Sequence, residues 1–500
     1  MRGLAALCLL SGCAQLFGLD ETSGDGSGIQ PDASPSAVTT EVQRDSIGTT
    51  LTRTPYDVSM LTANYLVPDS SAAGFTRVKA TGVGDTWSAQ IPDGTPAAEI
   101  TLGLDLPDVF RRLYALPQRN LKILYGIFEQ EGAALLPTPP VDTLNITLNL
   151  PELAQTATLY RIYSLGSWAY HDFAENVEWV AGTTSTITAT TTFGDATWGN
   201  LSGRPFTKIT TGDTVVGLHY NGNLLVGAAE FPVFAQADGA NAITATMADV
   251  TTQPLDVHLS PSAIAARLAM PTPHGTAVGM SWSTNASPAA DLANGTGPQL
   301  NAATILTTDS GAITAPSGNP FSAKGWKTTF NLGTNSSRTY AVPGLGNFVG
   351  TFYTGLNQIA EVGPGLTMDT PAALPVLVSI NSMPLSVDGN TISLTAGKSV
   401  TLSMVTDGTP DPLFYQFNIY ELRENAAATA LETHVAYVAV SDTTMVTVPS
   451  DVFVAGKTYF IRAHCIKGGY PSFSTGNFFD RNLPYSVGYL DAGVFTVAAQ

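Results

Sequence analysis

Apolar and polar residues alternate with a period of two along much of this chain, most cleanly at Leu144, Ile146, Leu148 and Leu150. That period puts every second side chain on one face of a strand, so these four define a half-buried strand. Val400, Leu402 and Met404 repeat the pattern, as do Tyr415, Phe417 and Ile419, and it returns in Leu255–Leu259 and Thr276–Ser283. Further strands are expected at 157–163, 185–192, 214–219, 224–230 and 243–250, and again near 326–332, 338–342 and 348–354. Thr183–Thr192 is rich in β-branched threonine and reads as strand rather than disorder. Asn221-Gly222, between two apolar runs, is a hairpin turn. Only 107–116 and 121–131 carry partial helical spacing, and Pro107 and Pro117 bracket the first of them tightly. The fold class expected is all-β: several antiparallel, Ig-like β-sandwich domains in series after a disordered tether.

A chain of 500 residues exceeds one ordinary core. Turn-rich stretches divide it into a first sandwich at 41–140, a β domain at 141–254, a second β domain at 255–372 and a last sandwich at 373–500. Within the third unit, 284–325 repeats Asn, Gly, Ser and Pro and is expected to form long loops. The last unit is the clearest: six short strands follow the prolines of Pro371-Ala-Ala-Leu-Pro375, and it is expected to stand alone. Gly84-Asp-Thr-Trp-Ser-Ala-Gln-Ile-Pro-Asp-Gly94 with Ile100 is similar to a segment of carboxypeptidase-regulatory-like β-sandwiches, with Trp87 in the aromatic place and Pro92 and Gly94 in the turn. Phe453-Val-Ala-Gly-Lys-Thr-Tyr459 is similar to the corner before strand F of fibronectin type III domains, matching at Gly456 and Tyr459.

The amino-terminal pattern is of another kind. Arg2 gives a basic start, Leu4–Leu10 an apolar run too short to span a bilayer, and residues 14–40 a polar tract rich in Asp, Ser, Gly and Pro. Leu10-Ser11-Gly12-Cys13 resembles the lipobox of bacterial lipoproteins. The resemblance implies removal of residues 1–12, acylation of Cys13 and anchoring to the membrane through its lipid. Ala14 replaces the Asp that retains such proteins at the inner membrane, which implies an outer-membrane location. Residues 14–40 would then be a tether with a reach of roughly 30 Å.

Charged residues make up only 12% of the chain, and acids outnumber bases 40 to 22, for a net charge of −18. Nucleic-acid binding needs clustered Lys and Arg and is not expected. No later apolar run is long enough for a membrane-spanning helix. Cys8 leaves with the signal and Cys13 is acylated, so Cys465 has no cysteine partner. It shares a strand face with Tyr459, Ile461 and Ala463 and reads as core, with His464 on the opposite face.

Candidate chemistry is sparse. The six histidines make no H-x-H or H-E-x-x-H pair, and there is no Gly-x-Ser-x-Gly elbow or phosphate loop. His171, Asp172, Glu175 and Glu178 form the densest ionisable group, and a solvated loop suits them better than a metal. Tyr160, Tyr163, Trp168, Tyr170 and Trp179 crowd within twenty residues. They read either as sandwich core or as a binding platform, for which Trp168, Tyr170 and Trp179 are the candidates. No catalytic residue, metal or cofactor is expected. The function expected is a non-enzymatic surface or periplasm-facing outer-membrane lipoprotein of structural, adhesive or binding role, acting through its sandwich loops, of which 284–325 is the longest. Its partners would be the membrane, through the lipid, and a glycan or envelope protein. The alternatives are a carbohydrate-binding or carbohydrate-active envelope protein, and an accessory lipoprotein of an assembly or transport complex.

Overall fold

A computed structural model describes residues between Ser36 and Ala498, apart from 129–142, 288–299 and shorter stretches between strands. The described chain is built of β-strands, with only short 3-10 turns between them. The first strand, Ser36–Ile47, begins inside the stretch expected to be tether. Cys13 and the rest of that stretch lie outside the described residues.

The expected strands appear close to their places. Thr143–Asn149 buries Leu144, Ile146 and Leu148 on one face and leaves Thr143, Asn145, Thr147 and Asn149 on the other. Val215–Asn221 and Leu224–Glu230 form the hairpin around Gly222, whose φ of +58° explains the glycine. Three expectations fail. The segments expected to be helices are the strands Phe110–Ala115 and Asn120–Phe128. The expected long loop 284–325 contains the strands Leu300–Leu306 and Gly311–Ser317. The expected strands 326–332 and 338–342 are one continuous strand, Lys327–Val342.

One sheet of 19 strands runs through all four expected segments. In the carboxy-terminal part its order is Leu431–Ser441, Phe414–Glu424, Thr458–Gly468 and Tyr485–Val497. Tyr485–Val497 then pairs antiparallel with Gly346–Ile359, which carries the sheet on into Lys327–Val342 and Val278–Ser287. A single pair, Leu224↔Ala303, joins this part to the hairpin at 215–230. Smaller sheets cover parts of the large one and close the cores. Pro375–Ile380, Ser399–Thr406 and Met445–Pro449 cover the carboxy-terminal strands, and Thr186–Thr192, Thr143–Asn149 and Ala240–Thr246 cover the middle ones.

The first and last segments pair through a strand and share cores. Phe110–Ala115 lies parallel beside Leu431–Ser441. Its Leu113, with Leu66, joins the carboxy-terminal core around Phe417, Ile461 and Cys465. Tyr114, on the other face, packs with Trp87, Phe414 and Phe478 in a second core. Glu99, 1% exposed, accepts hydrogen bonds from Arg77 at 2.9 Å and from the Tyr437 hydroxyl at 3.0 Å. Arg111 adds a contact to Glu99 at 3.4 Å and one to Asp451 at 3.2 Å. A carboxylate buried so deeply is tolerable only with such partners. The Tyr459 hydroxyl accepts the Val454 N–H at 2.9 Å and closes the corner before its strand.

Candidate functional site

The aromatic residues singled out in the sequence are mostly core. Trp179 is 2% exposed, and its indole N–H donates to the Phe173 carbonyl at 3.0 Å. Its ring meets Tyr160 edge-on at 5.1 Å. Burying an indole requires one acceptor, and Phe173 supplies it, so Trp179 is no surface platform. Tyr170 is half-buried beneath the Arg161 guanidinium at 4.2 Å, and Arg161 pairs with Asp172 at 2.5 Å. Trp168 lies outside the described residues.

The ionisable group around His171 is dispersed. His171 is buried rather than set in a solvated loop, and its Nε2 lies 3.1 Å from Glu178. Asp172 is turned to Arg161, and Glu175 is exposed. Among the described residues no three His, Cys, Asp or Glu side chains converge as a metal site. Cys465 is fully buried, 3.8 Å from the Met404 sulfur, and burial pushes its thiol up.

The structure brings another histidine into a cleft. Tyr160, His219, Gly227 and Asp249 face one another across four adjacent strands. Tyr160 stacks on the His219 ring at 4.4 Å. A Cβ on Gly227 would lie 2.9 Å from the Met247 sulfur and 3.1 Å from the His219 Cβ, so only glycine leaves room there. His219 Nε2 has no hydrogen-bond partner among the described residues, and burial lowers its basicity. Tyr160, His219 and Asp249, with Glu152, Gln155 and Asn221, line a cleft of about 200 Å³. Asp249 also borders a wider cleft of about 700 Å³ that includes Glu230, Asn319 and Phe321.

Another feature lies on the large sheet where Gly346–Ile359 meets Tyr485–Val497, on the face opposite Phe352, Ile461 and Leu490. One cross-strand row runs Gln416, His464, Tyr489, Tyr353. The next runs Asn418, Arg462, Asp491. Tyr353 and Tyr489 stack at 5.0 Å with planes 23° apart. The Arg462 guanidinium lies 4.5 Å from the Tyr489 ring and 5.6 Å from the Tyr420 ring. Tyr420 in turn stacks on Phe460 at 4.7 Å. Rings and guanidinium thus form a strip across the strands, with Tyr353, Tyr420, Arg462, His464 and Tyr489 all half-buried.

Glycines seat the end of this strip. Gly333 and Gly355 are paired across strands, and Tyr353 lies over both. A Cβ on Gly333 would sit 2.9 Å from the Tyr353 hydroxyl, and one on Gly355 would collide with it outright. An aromatic ring over paired glycines restores the packing their missing side chains forgo.

The strip is held by one carboxylate. Asp491, fully buried, takes two hydrogen bonds from Arg462 at 2.6 and 2.9 Å and the Thr351 N–H at 2.8 Å. The fork fixes the guanidinium plane that lies against Tyr489. His464 is held by Asn418 at 3.2 Å. Burial, helped by the adjacent Arg462, pushes its imidazole down to about 3, so it is neutral. Burial also raises Tyr353 to about 12 and raises Tyr489, which keeps both phenols protonated. The strip therefore carries no uncompensated charge from Arg462 or Asp491.

Sequence reasoning placed His464 on the outer face but missed the strip. Its parts come from four strands spread between residues 346 and 497. The local signal was the alternation of aromatic and polar residues on outward positions, Arg462 and His464 on one strand and Tyr489 and Asp491 on another.

No family model and no curated protein matches this chain. Among solved structures it is similar to trypsin-activated alpha-2-macroglobulin from Escherichia coli, at 8% identity and a TM-score of 0.11. The match covers 87% of this chain but only 28% of that one, and a likeness so slight carries no argument.

Proposed function

We propose that this chain is a non-enzymatic, lipid-anchored outer-membrane protein of the bacterial envelope that binds its partner on a sheet face. The observation that carries the reading is the ring-and-guanidinium strip across Tyr353, Tyr489, Arg462 and Tyr420. Tyrosine offers large, rigid contact area at low entropic cost, and strands hold it in place better than loops do. The buried carboxylates support the same reading, because they serve as ties between strands. Asp45 is bound by Arg53 at 2.7 Å, Asp407 by Arg267 at 2.8 Å and Asp491 by Arg462 at 2.6 Å. For Asp407 the Arg267 bond outweighs burial and holds the carboxyl below its ordinary range, which makes it a poor general base.

The address rests on Leu10-Ser11-Gly12-Cys13 and on Ala14. Acyl chains add about 0.8 kcal/mol for each buried CH₂, so an acylated Cys13 would hold the protein firmly. The binding role moves from the 284–325 segment to the sheet face, because two strands occupy that segment. Fractionation of cells expressing Cys13→Ser tests the anchor: the variant should appear in the soluble fraction. Partition with the outer membrane despite the substitution would overturn it. Pull-down of envelope components on the immobilised full chain tests the binding role, and retention of no component would overturn that part.

A further inference from the structure

We infer that the outer edge of Thr186–Thr192 is an association surface for a second copy of this chain, paired antiparallel across a two-fold axis at Thr188. The inference is independent of the lipid anchor and of the strip on the large sheet.

The first argument is which backbone groups the edge leaves open. Thr186–Thr192 is an outermost strand of its three-stranded sheet and pairs with Thr143–Asn149 alone. The Leu150 N–H donates to the Ser185 carbonyl at 3.0 Å, which fixes the alternation of the ladder. Ser185, Ile187 and Ala189 turn their backbone groups inward, toward Thr143–Asn149. Thr186, Thr188 and Thr190 therefore turn theirs outward, and all three residues are exposed. Thr184 faces outward too, but the Val180 carbonyl accepts its N–H at 3.1 Å and the Ala154 N–H donates to its carbonyl at 2.8 Å. That loop closes the edge at Thr184, and among the described residues no strand pairs beyond it.

The second argument is the lack of a guard. Edge strands are ordinarily blunted by proline, by charge or by brevity. In the other small sheets Leu51–Pro55 carries Arg53 and Pro55, Asn120–Phe128 carries Lys122, Gly311–Ser317 carries Pro316 and Met445–Pro449 ends in proline. Thr81–Val83, Leu366–Thr367 and Met383–Pro384 are short. Thr186–Thr192 has seven residues and neither proline, glycine nor charge. Ala240–Thr246, at the opposite edge of the same sheet, is uncharged as well, but the chain runs from it directly into Ala248–Asp249, which is paired in the large sheet.

The third argument is the occupant. A strand is its own antiparallel partner about a two-fold axis. The axis sets Thr188 opposite Thr188 of the second copy and Thr186 opposite Thr190, and each pair exchanges both backbone bonds. A charge on any of the three would stand against a like charge or disturb that register, and none is present. The chain carries −18 overall, so two copies repel over most of their surface and meet at least cost along an uncharged edge. Threonine is β-branched and suits a strand paired on both sides.

The test is sedimentation of the full chain carrying Cys13→Ser, so that no acyl chain drives association. An equilibrium between monomer and dimer that moves toward dimer with concentration is expected. Thr188→Lys sets like charges against each other at the axis and should weaken the dimer roughly tenfold. Its side chain lies on the exposed face opposite Thr147, so the variant should melt as the parent does at high dilution. Thr188→Glu should act in the same way, and an equal mixture of the two variants should restore association, because the charges across the axis then attract. Should either variant melt early, the mixture still decides, since a folding defect is not repaired by mixing. A parent chain that stays monomeric at every concentration overturns the inference, as does a dimer that survives Thr188→Lys. Failure of the mixture to associate overturns the two-fold at Thr188, and growth into open-ended polymers overturns it too.

Discussion

Two aromatic clusters divide the molecule and behave in opposite ways. The one at 160–179 is dense in sequence, and its Tyr160, Tyr163 and Trp179 are each 2% exposed. The one built from Tyr353, Tyr420 and Tyr489 is scattered in sequence and half-exposed. The difference is what lies opposite. Tyr160 and Trp179 face the small sheet of Thr143–Asn149, Thr186–Thr192 and Ala240–Thr246, and Tyr163 packs in a separate core with Val216, Phe321 and Trp326. The second cluster lies on a stretch of the large sheet whose other face already holds the core of Phe352, Ile461 and Leu490. The aromatics clustered along the chain fill nearby cores, whereas the strip is assembled by register between distant strands.

The largest effect should come from the buried cluster. Trp179→Ala removes a ring packed on Tyr160 and leaves the Phe173 carbonyl unpaired, at a cost of about 3–5 kcal/mol. Denaturant titration of the full chain would show it. A loss below about 1 kcal/mol would mean that the cluster is not core. Asp491→Ala should come next, at about 3 kcal/mol, because it strands Arg462 and the Thr351 N–H. It should also loosen the Tyr353–Tyr489 stack, readable in near-ultraviolet circular dichroism.

The pH dependence differs between buried groups in a way that sharpens the contrast. Burial alone would raise Asp407, but the Arg267 bond and the Leu374 N–H outweigh it and hold the carboxyl below 3.8. Its stabilisation is present above that value and is lost as pH falls through the lower folded value. Asp407→Asn should therefore be less stable than wild type at neutral pH, the gap closing in strong acid. His464 is held neutral down to about 3 against an ordinary 6.5, so its contribution is present above 6.5 and drains as pH falls toward 3. His464→Gln should flatten the stability profile across that window, and an unchanged slope would show that His464 titrates freely. The smallest effect is expected for Tyr489→Phe. It keeps the ring on Tyr353 and Arg462 and should shift stability by less than about 0.5 kcal/mol.

Legibility in the sequence followed how many faces of a strand are buried. Thr143–Asn149 and Ser399–Thr406 each bury one face, and their alternation was plain. Phe110–Ala115 buries Leu113 in one core and Tyr114 in another, so its apolar residues are adjacent and mimic a helical turn. The core of 373–500 draws on residues outside it for a related reason. Leu66, Leu113, Phe330 and Phe352 complete its core, and nothing local to 373–500 announces them. The strip was hidden because register, not spacing, sets Tyr353 beside Tyr489.

The parallel pairing of Phe110–Ala115 with Leu431–Ser441 has a kinetic meaning. The Tyr437 hydroxyl and the Glu99 carboxylate it serves are 338 residues apart, so one of the earliest-made strands completes its partnership only when almost the whole chain exists. At roughly 5–20 residues per second of synthesis, that wait is many seconds during which the strand edge stays open. Closing so long a loop is slow, and an open edge invites wrong pairing. Maturation of this protein should therefore depend on whatever shields its first hundred residues until the last hundred arrive.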